Sequence, residues 1–141
     1  MHNKILSLGY QGKSIEDLIE ILTKYNVEKL LDIRIKPVSR KKDFNKNRLS
    51  SKLNDVGIDY VHFRDAGNPY YKEAKNTAEC LNLYSSYLDI HPEVVDQLLE
   101  EVYNGTIAIL CYEKNHDVCH RSILLDMTLN ESDKTKIIKI E

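Results

Sequence analysis

A single α/β domain, with a mostly parallel sheet and helices on both faces, is what the order of apolar patterns predicts. Three observations carry that prediction. Short β-branched or aliphatic runs alternate with longer stretches of helical periodicity along the chain. The run Thr106 to Cys111, TIAILC, is the most hydrophobic and suits a central parallel strand covered on both faces. The 141 residues suffice for one sizeable core, and no repeat, low-complexity tract or interdomain linker interrupts residues 1–141.

Ile5 to Leu8 begins the first strand, and Gly9 and Gly12 bracket the turn after it. Ser14, with Asp17 three residues on, caps a helix that carries Ile15, Leu18, Ile19 and Leu22 and ends near Tyr25 and Asn26. Leu30, Leu31 and Ile33 form a second strand, which stops where Arg34 and Pro37 replace apolar periodicity with charge. A helix over 46–56 follows, with Asn45 as cap, Leu49 and Leu53 facing inward and Gly57 at its end. Asp59 to Phe63 is the third strand, and 64–76, with Gly67-Asn68-Pro69, reads as an irregular loop placed to cover a site. Helices near 78–88 and 92–103 come next, the second with Pro92 in its first turn and Asn104-Gly105 as its stop. Beyond TIAILC, a last helix holds Ile123, Leu124, Leu125 and Met127, and Ile137 to Ile140 forms the final strand.

A hydrophobic fraction of 42% with 30% charged residues argues against disorder and against a fibre. No apolar run approaches the ~20 residues that span a bilayer, and MHNKILSLGYQG lacks the long apolar segment of a secretory leader, so the expected location is the cytoplasm. Three cysteines do not make a disulfide framework for a chain that can build its own core, and reduced thiols are expected. Net charge is -2, yet seven basic residues and one acid lie between Arg34 and Arg48, a local charge of +6. One cationic segment therefore sits within a mildly acidic protein.

In parallel α/β sheets the ligand site lies beyond the carboxyl ends of the strands, where loops and helix N-termini converge. Three polar loops are expected there: Gly9-Tyr10-Gln11-Gly12, the basic segment with Arg34, Ser39 and Arg40, and Cys111 to Ser122, CYEKNHDVCHRS. Arg34, Arg40 and Arg121 beside a helix start would supply fixed charge and free backbone N–H groups to a phosphate, sulfate or carboxylate. The competing reading pairs Arg34 with Asp32 and leaves Lys41, Lys42 and Lys46 as a solvated face.

Cys119 precedes His120 and Arg121 at a helix start, a setting that lowers a thiol pKa, whereas Cys111 ends a buried strand. Either could be a nucleophile or a core residue. Cys80, in an amphipathic helix, reads as structural. No cofactor motif is present, and metal binding by Cys111, His116, Cys119 and His120 is disfavoured. The spacing matches no common ligand pattern, and adjacent Cys119 and His120 would struggle to face one ion. Of the nine tyrosines, Tyr70 and Tyr71 are placed to stack on bases, while Tyr84 and Tyr87 have core-edge spacing.

The segments LGYQGKS, LLDIRIKPVSRKKDF, VGIDYVHFRDAGNP and AILCYEKNHDVCHRS, in that order across most of the chain, resemble the domain-of-unknown-function family 488, DUF488. The combination of DIR, PVSRK and CHRS is the specific part. By this resemblance Gly9, Asp32, Arg34, Pro37, Ser39, Arg40, Phe44, Gly67, Cys111, Glu113, Cys119, His120, Arg121 and Ser122 occupy signature positions. The resemblance implies a compact α/β fold and no settled activity. Ala66 departs from it, since a larger apolar residue is expected before Gly67. A looser similarity to the rhodanese pattern would make Cys111 a sulfur-carrying nucleophile, although 111–121 is longer than the rhodanese loop and lacks its glycine.

The functional expectation is a phosphate-bearing ligand, nucleotide or nucleic acid, held by Gly9, Tyr10, Arg34, Ser39, Arg40, Arg121 and Ser122. If there is catalysis, His120 is its acid or base, Cys119 or Cys111 its nucleophile, and Glu113 an orienting group. The alternatives are a rhodanese-like thiol enzyme and a protein-interaction module.

Overall fold

The structure, a computed structural model, describes residues 4–70, 72–129 and 135–141. Five strands and five helices alternate: β1 (Lys4–Gly9), α1 (Ile15–Lys24), β2 (Lys29–Asp32), α2 (Lys46–Asp55), β3 (Asp59–His62), α3 (Thr77–Ile90), α4 (Pro92–Asn104), β4 (Ile107–Cys111), α5 (His120–Thr128) and β5 (Lys136–Ile140). One-turn 3₁₀ helices occupy Arg64–Ala66 and His116–Val118. The strands form one sheet in the order β3-β2-β4-β1-β5, and every pairing is parallel. The single-domain parallel α/β architecture expected from the sequence is therefore present, with boundaries shifted by a residue or two at most elements.

Alternation along the strands divides the core in two. Ile5, Leu31, Ile107, Ile109 and Cys111 face α3, α4 and α5, and pack on Tyr84, Leu88, Val94, Leu98, Val102, Leu124 and Leu125. Leu6, Leu8, Leu30, Ala108 and Leu110 face the opposite side, against Ile15, Leu18 and Leu22 of α1 and Leu49 and Leu53 of α2. All five residues of β4 are buried, as its unbroken apolar run requires. Each fully buried Leu or Ile contributes about 1.5–3 kcal/mol, so the two layers together outweigh any surface ion pair.

Local signals set most helix ends. Ser14 and Asp17 form a reciprocal capping box at α1. Asn26, with φ 57, turns the chain after α1. Asn45 holds the N-cap position of α2 but makes no side-chain cap there. Its Oδ1 instead accepts from the Ser39 N–H at 2.5 Å, because the basic loop folds back over the helix start and competes for the same acceptor. Among the described residues no helix is long and apolar enough to cross a membrane.

β1 and β4 lie side by side, yet α1 leaves β1 on one face and α5 leaves β4 on the other. This reversal opens a crevice at the strand ends, the usual place for a ligand in such sheets. Here the two loops close part of it: Tyr10 N–H donates to the Cys111 carbonyl at 3.1 Å and Gln11 N–H to the Tyr112 carbonyl at 2.9 Å. Gly9 makes this approach possible, since a Cβ there would lie 1.7 Å from the Glu113 carbonyl oxygen. Gly9 thus has a packing role at the end of β1.

Backbone cannot yield to a Cβ as a flexible side chain can. Gly9→Ala is expected to cost about 3 kcal/mol, the upper end for overpacking, and to lower the thermal midpoint by roughly 10 °C. A thermal melt within 2 °C or so of the parent would show that the loop 112–116 is not held against β1 in solution.

Candidate functional site

Asp32, at the end of β2, is fully buried and lies at the centre of a polar network. Its Oδ1 accepts from Arg34 Nε at 2.8 Å and from the Arg34 backbone N–H at 3.1 Å. Its Oδ2 accepts from Arg34 Nη2 at 2.7 Å and from the Tyr60 hydroxyl at 2.5 Å. Arg34 Nη1 donates to the Phe44 carbonyl at 2.8 Å and reaches the Tyr10 hydroxyl at 3.4 Å. Burial works against the Arg34 charge, but the hydrogen bonds and charge of Asp32 outweigh it and raise the guanidinium pKa. Burial, followed by donation to Asp32, likewise pushes the Tyr60 hydroxyl up.

The pairing of Arg34 with Asp32, weighed in the sequence against an anion-binding role, is therefore the one the fold makes. The guanidinium is oriented toward protein acceptors on all three nitrogens. Tyr10 stacks on Phe44 with ring centroids 4.5 Å apart, so its aromatic face is also occupied.

A cleft of about 930 Å³ opens beside this network at the carboxyl ends of β2 and β4. The segment after β2, with Arg34, Lys36 and Val38, lines one part of it. The loop before α3 and the first turns of that helix, with Asn68, Lys72, Thr77 and Cys80, line another. Tyr10 also borders it, and the β4–α5 connection contributes Cys111, Glu113, Cys119 and His120. All four residues considered for catalysis thus share one cavity.

The chemistry of this connection follows from its two ends. Cys111 ends β4 and Cys119 is the N-cap of α5, so a strand-end thiol faces a helix-start thiol across the loop. Cys119 Sγ lies 3.6 Å from His120 Nδ1, and Cys111 Sγ lies 3.5 Å from Glu113 Oε2. Burial pushes the Cys111 thiol well up, and the facing Cys119 sulfur adds to the rise. Burial opposes ionisation of Cys119 too. There it is overcome by the hydrogen bond from Cys111, by His120 and by the Arg121 charge, so its pKa falls well below the ordinary thiol range. The two facing thiols are thus pulled in opposite directions, Cys111 toward keeping its proton and Cys119 toward losing it. The Glu113 carboxyl is raised, first by burial and then by the Cys119 charge.

Arg121 is fully buried and lies outside the cleft lining, contrary to its expected place around a ligand anion. Its position in the first turn of α5 turns it under the loop, where Nη2 donates to the Glu113 carbonyl at 2.6 Å. Nε and Nη1 have no hydrogen-bond partner among the described residues, so its charge acts on the cluster above without being quenched. Ser122 Oγ donates to the Cys119 carbonyl at 2.8 Å and closes the helix start. Ser39 is half-buried, with Oγ accepting from the Lys41 N–H at 3.1 Å. Arg40 is exposed, and neither it nor Ser39 lines the cleft.

The geometric objection to Cys119 and His120 sharing an ion needs correction. Adjacent Cys119 and His120 do converge: the ligand atoms of Cys111, Cys119 and His120 all lie within 4.8 Å of one another. Cys119 has extended backbone, φ -104 and ψ 150, while His120 is already helical, and this change of direction between neighbours removes the geometric objection. His116 does not join them, because its Nδ1 is bonded to Ser7 Oγ at 2.6 Å.

Among the tyrosines, Tyr84 is fully buried with its hydroxyl on the Ala66 carbonyl at 2.6 Å, and Tyr87 bonds the Asp65 carbonyl at 2.7 Å. Tyr70 packs edge-on against Tyr87, and Tyr71 lies outside the described residues. Lys36 and Lys72 were not singled out by sequence reasoning, though the expectation that 64–76 covers a site pointed toward Lys72.

The fold and this cluster define a three-layer parallel α/β protein with two thiols and an imidazole in a strand-end cleft. The chain belongs to the DUF488 family: the family model described as domain of unknown function DUF488 matches residues 14–128. Searches of curated proteins and of solved structures return no match, and the looser rhodanese likeness is not shown by these comparisons.

His116 offers a check on the interior beneath the loop. Burial first, then the charges of Lys139 and Arg121, hold its pKa below the usual value. The unfolded chain therefore takes up this proton first on acidification. The His116 contribution to stability is complete above about pH 6.5 and is lost as pH falls further. His116→Asn should flatten the stability slope between pH 7 and pH 5 in denaturant melts, and an unchanged slope would locate the acid sensitivity elsewhere.

Proposed function

We propose that the chain is a thiol-dependent enzyme with Cys119 as its nucleophile. The observation that carries this reading is the placement of Cys119 on the cleft at the N-cap of α5, 3.6 Å from His120 Nδ1. In the proposed step the Cys119 sulfur attacks an electrophilic centre of the bound substrate. A new bond to sulfur forms as the bond to the leaving group breaks, and the leaving group departs with the electron pair. His120 delivers a proton to it. Cys111 Sγ donates to Glu113 Oε2 at 3.5 Å, and its thiol, facing Cys119, favours the charged form of the Cys119 sulfur. This assigns the nucleophile to the helix-start thiol instead of the strand-end thiol of the rhodanese pattern.

A second reading, ligand recognition through a phosphate, draws on Lys36 and Lys72, exposed cations that line the same cleft. A phosphate-bearing substrate would then place its charged end between them and its reactive end toward Cys119. For nucleic acid, the exposed Arg40, Lys42 and Lys46 extend the positive surface beyond the cleft.

Iodoacetamide at pH 7 followed by peptide mass spectrometry tests the first reading. Cys119 should be alkylated roughly tenfold faster than an ordinary thiol of pKa about 8.5, with a rate midpoint below that pH. Ordinary reactivity at Cys119 would remove it. For the second, inorganic phosphate should slow the alkylation, and Lys36→Glu with Lys72→Glu should abolish the protection. Indifference of the parent protein to phosphate would remove that reading alone.

A further inference from the structure

Two thiols, an imidazole and a carboxyl group are gathered at one end of the cleft, from residues that the loop separates by up to nine positions. The geometry points to a binding site for a thiophilic divalent cation, zinc above all, formed by Cys111, Cys119 and His120 with Glu113 beside them. The three ligand atoms of Cys111, Cys119 and His120 lie within 4.8 Å of one another. Around tetrahedral zinc, with Zn–S about 2.3 Å and Zn–N about 2.0–2.1 Å, neighbouring ligand atoms stand roughly 3.5–3.8 Å apart. The Cys119 Sγ to His120 Nδ1 separation, 3.6 Å, already falls in that range, and Cys111 Sγ to Glu113 Oε2, 3.5 Å, is at its edge. Among Cys111, Cys119 and His120 the remaining separations are at most 4.8 Å, and side-chain shifts of about 1 Å close them to the tetrahedral range.

Donor chemistry selects the ion. Two sulfurs and an imidazole suit zinc and disfavour magnesium or calcium, which take oxygen ligands. Charge complementarity supports the same assignment. With both thiols and Glu113 ionised the donors carry -3, and a divalent cation together with the buried guanidinium of Arg121 brings the group to neutrality. Arg121 has no carboxylate hydrogen-bonded to it among the described residues, so a site filled with thiolates compensates a charge that is otherwise buried alone.

The access route is the cleft itself, which all four residues line. Three protein ligands with a fourth position open to the cleft is the arrangement of zinc sites that act on substrates, whereas Glu113 in the fourth position would make a closed site. The site shares Cys119 with the proposed nucleophile but does not depend on that role. A cation there takes up one of the sulfur lone pairs, so metal binding slows alkylation.

The test uses the full chain, stripped with a chelator and reduced with a phosphine. Zinc titration against a chromophoric competitor should give one ion per chain, and Co²⁺ in its place should show thiolate-to-cobalt charge-transfer absorption. Cys119→Ser and Cys111→Ser should each lose the charge-transfer intensity of one sulfur, and His120→Gln should weaken zinc binding at least tenfold. Absence of zinc uptake, or a Co²⁺ spectrum without sulfur character in the wild-type chain, would overturn the site without recourse to any variant. Equal affinity in wild type and in a folded Cys111→Ser, Cys119→Ser double variant would do the same. Alkylation of the zinc-free protein reads the nucleophile separately. Slow alkylation with zinc uptake removes only the thiol enzyme, and fast alkylation without uptake removes only the metal site.

Discussion

A carboxylate buried without water must find its partners inside the protein, and the cleft wall is organised around that requirement at Asp32. Its two oxygens accept four hydrogen bonds, three of them from Arg34 and one from Tyr60. Removing either ion would leave the other stranded at a cost of about 3–5 kcal/mol, so the pair constrains everything it touches. Through Arg34 it reaches the Phe44 carbonyl and the Tyr10 hydroxyl, and Tyr10 in turn stacks on Phe44. Tyr10 N–H donates to the Cys111 carbonyl, so the strand end that carries one thiol is connected to the same framework.

On the other side of the site a second buried cation does a different kind of work. Arg121 ties down the Glu113 carbonyl with one nitrogen and, among the described residues, leaves two nitrogens without a hydrogen-bond partner. Gly9 allows that carbonyl to press against β1. The loop between β4 and α5 is thereby held from below by charge and from the side by backbone contact. This brings Cys111 and Cys119 together although eight positions separate them. Identical side chains acquire opposite character from their settings. One thiol sits at a strand end among apolar neighbours and donates; the other begins a helix beside an imidazole and a guanidinium and accepts.

Much of the fold was legible because its determinants are local and periodic. The TIAILC run, the spacing of Leu18 with Leu22 and of Leu49 with Leu53, and the Ser14–Asp17 box each specify an element within a few residues. The candidate site was legible as a place for a related reason: Cys111 and Cys119 mark the end of a strand and the start of a helix, and in parallel sheets those ends converge. Individual roles were less accessible. Arg34 and Arg121 looked alike as cations near loops, and both turned inward, one to Asp32 and the other beneath the loop. Asn45 resembled a cap until the basic loop supplied a competing donor at Ser39.

By itself the sequence determined the α/β class, the number and order of its elements and the segment that carries the thiols and imidazole of the cleft, because hydrophobic periodicity and capping act over a turn or two of chain. Only the tertiary structure decided which of those side chains meet. The order β3-β2-β4-β1-β5, with α1 and α5 on opposite faces, puts residues from distant segments on one cleft and buries others a few ångströms away. That division depends on direction and exclusion of water in three dimensions, which spacing along a chain does not encode. The segment from Cys111 to Ser122 thus brings Cys119 and His120 to the cleft, with Arg121 as the buried charge beneath them.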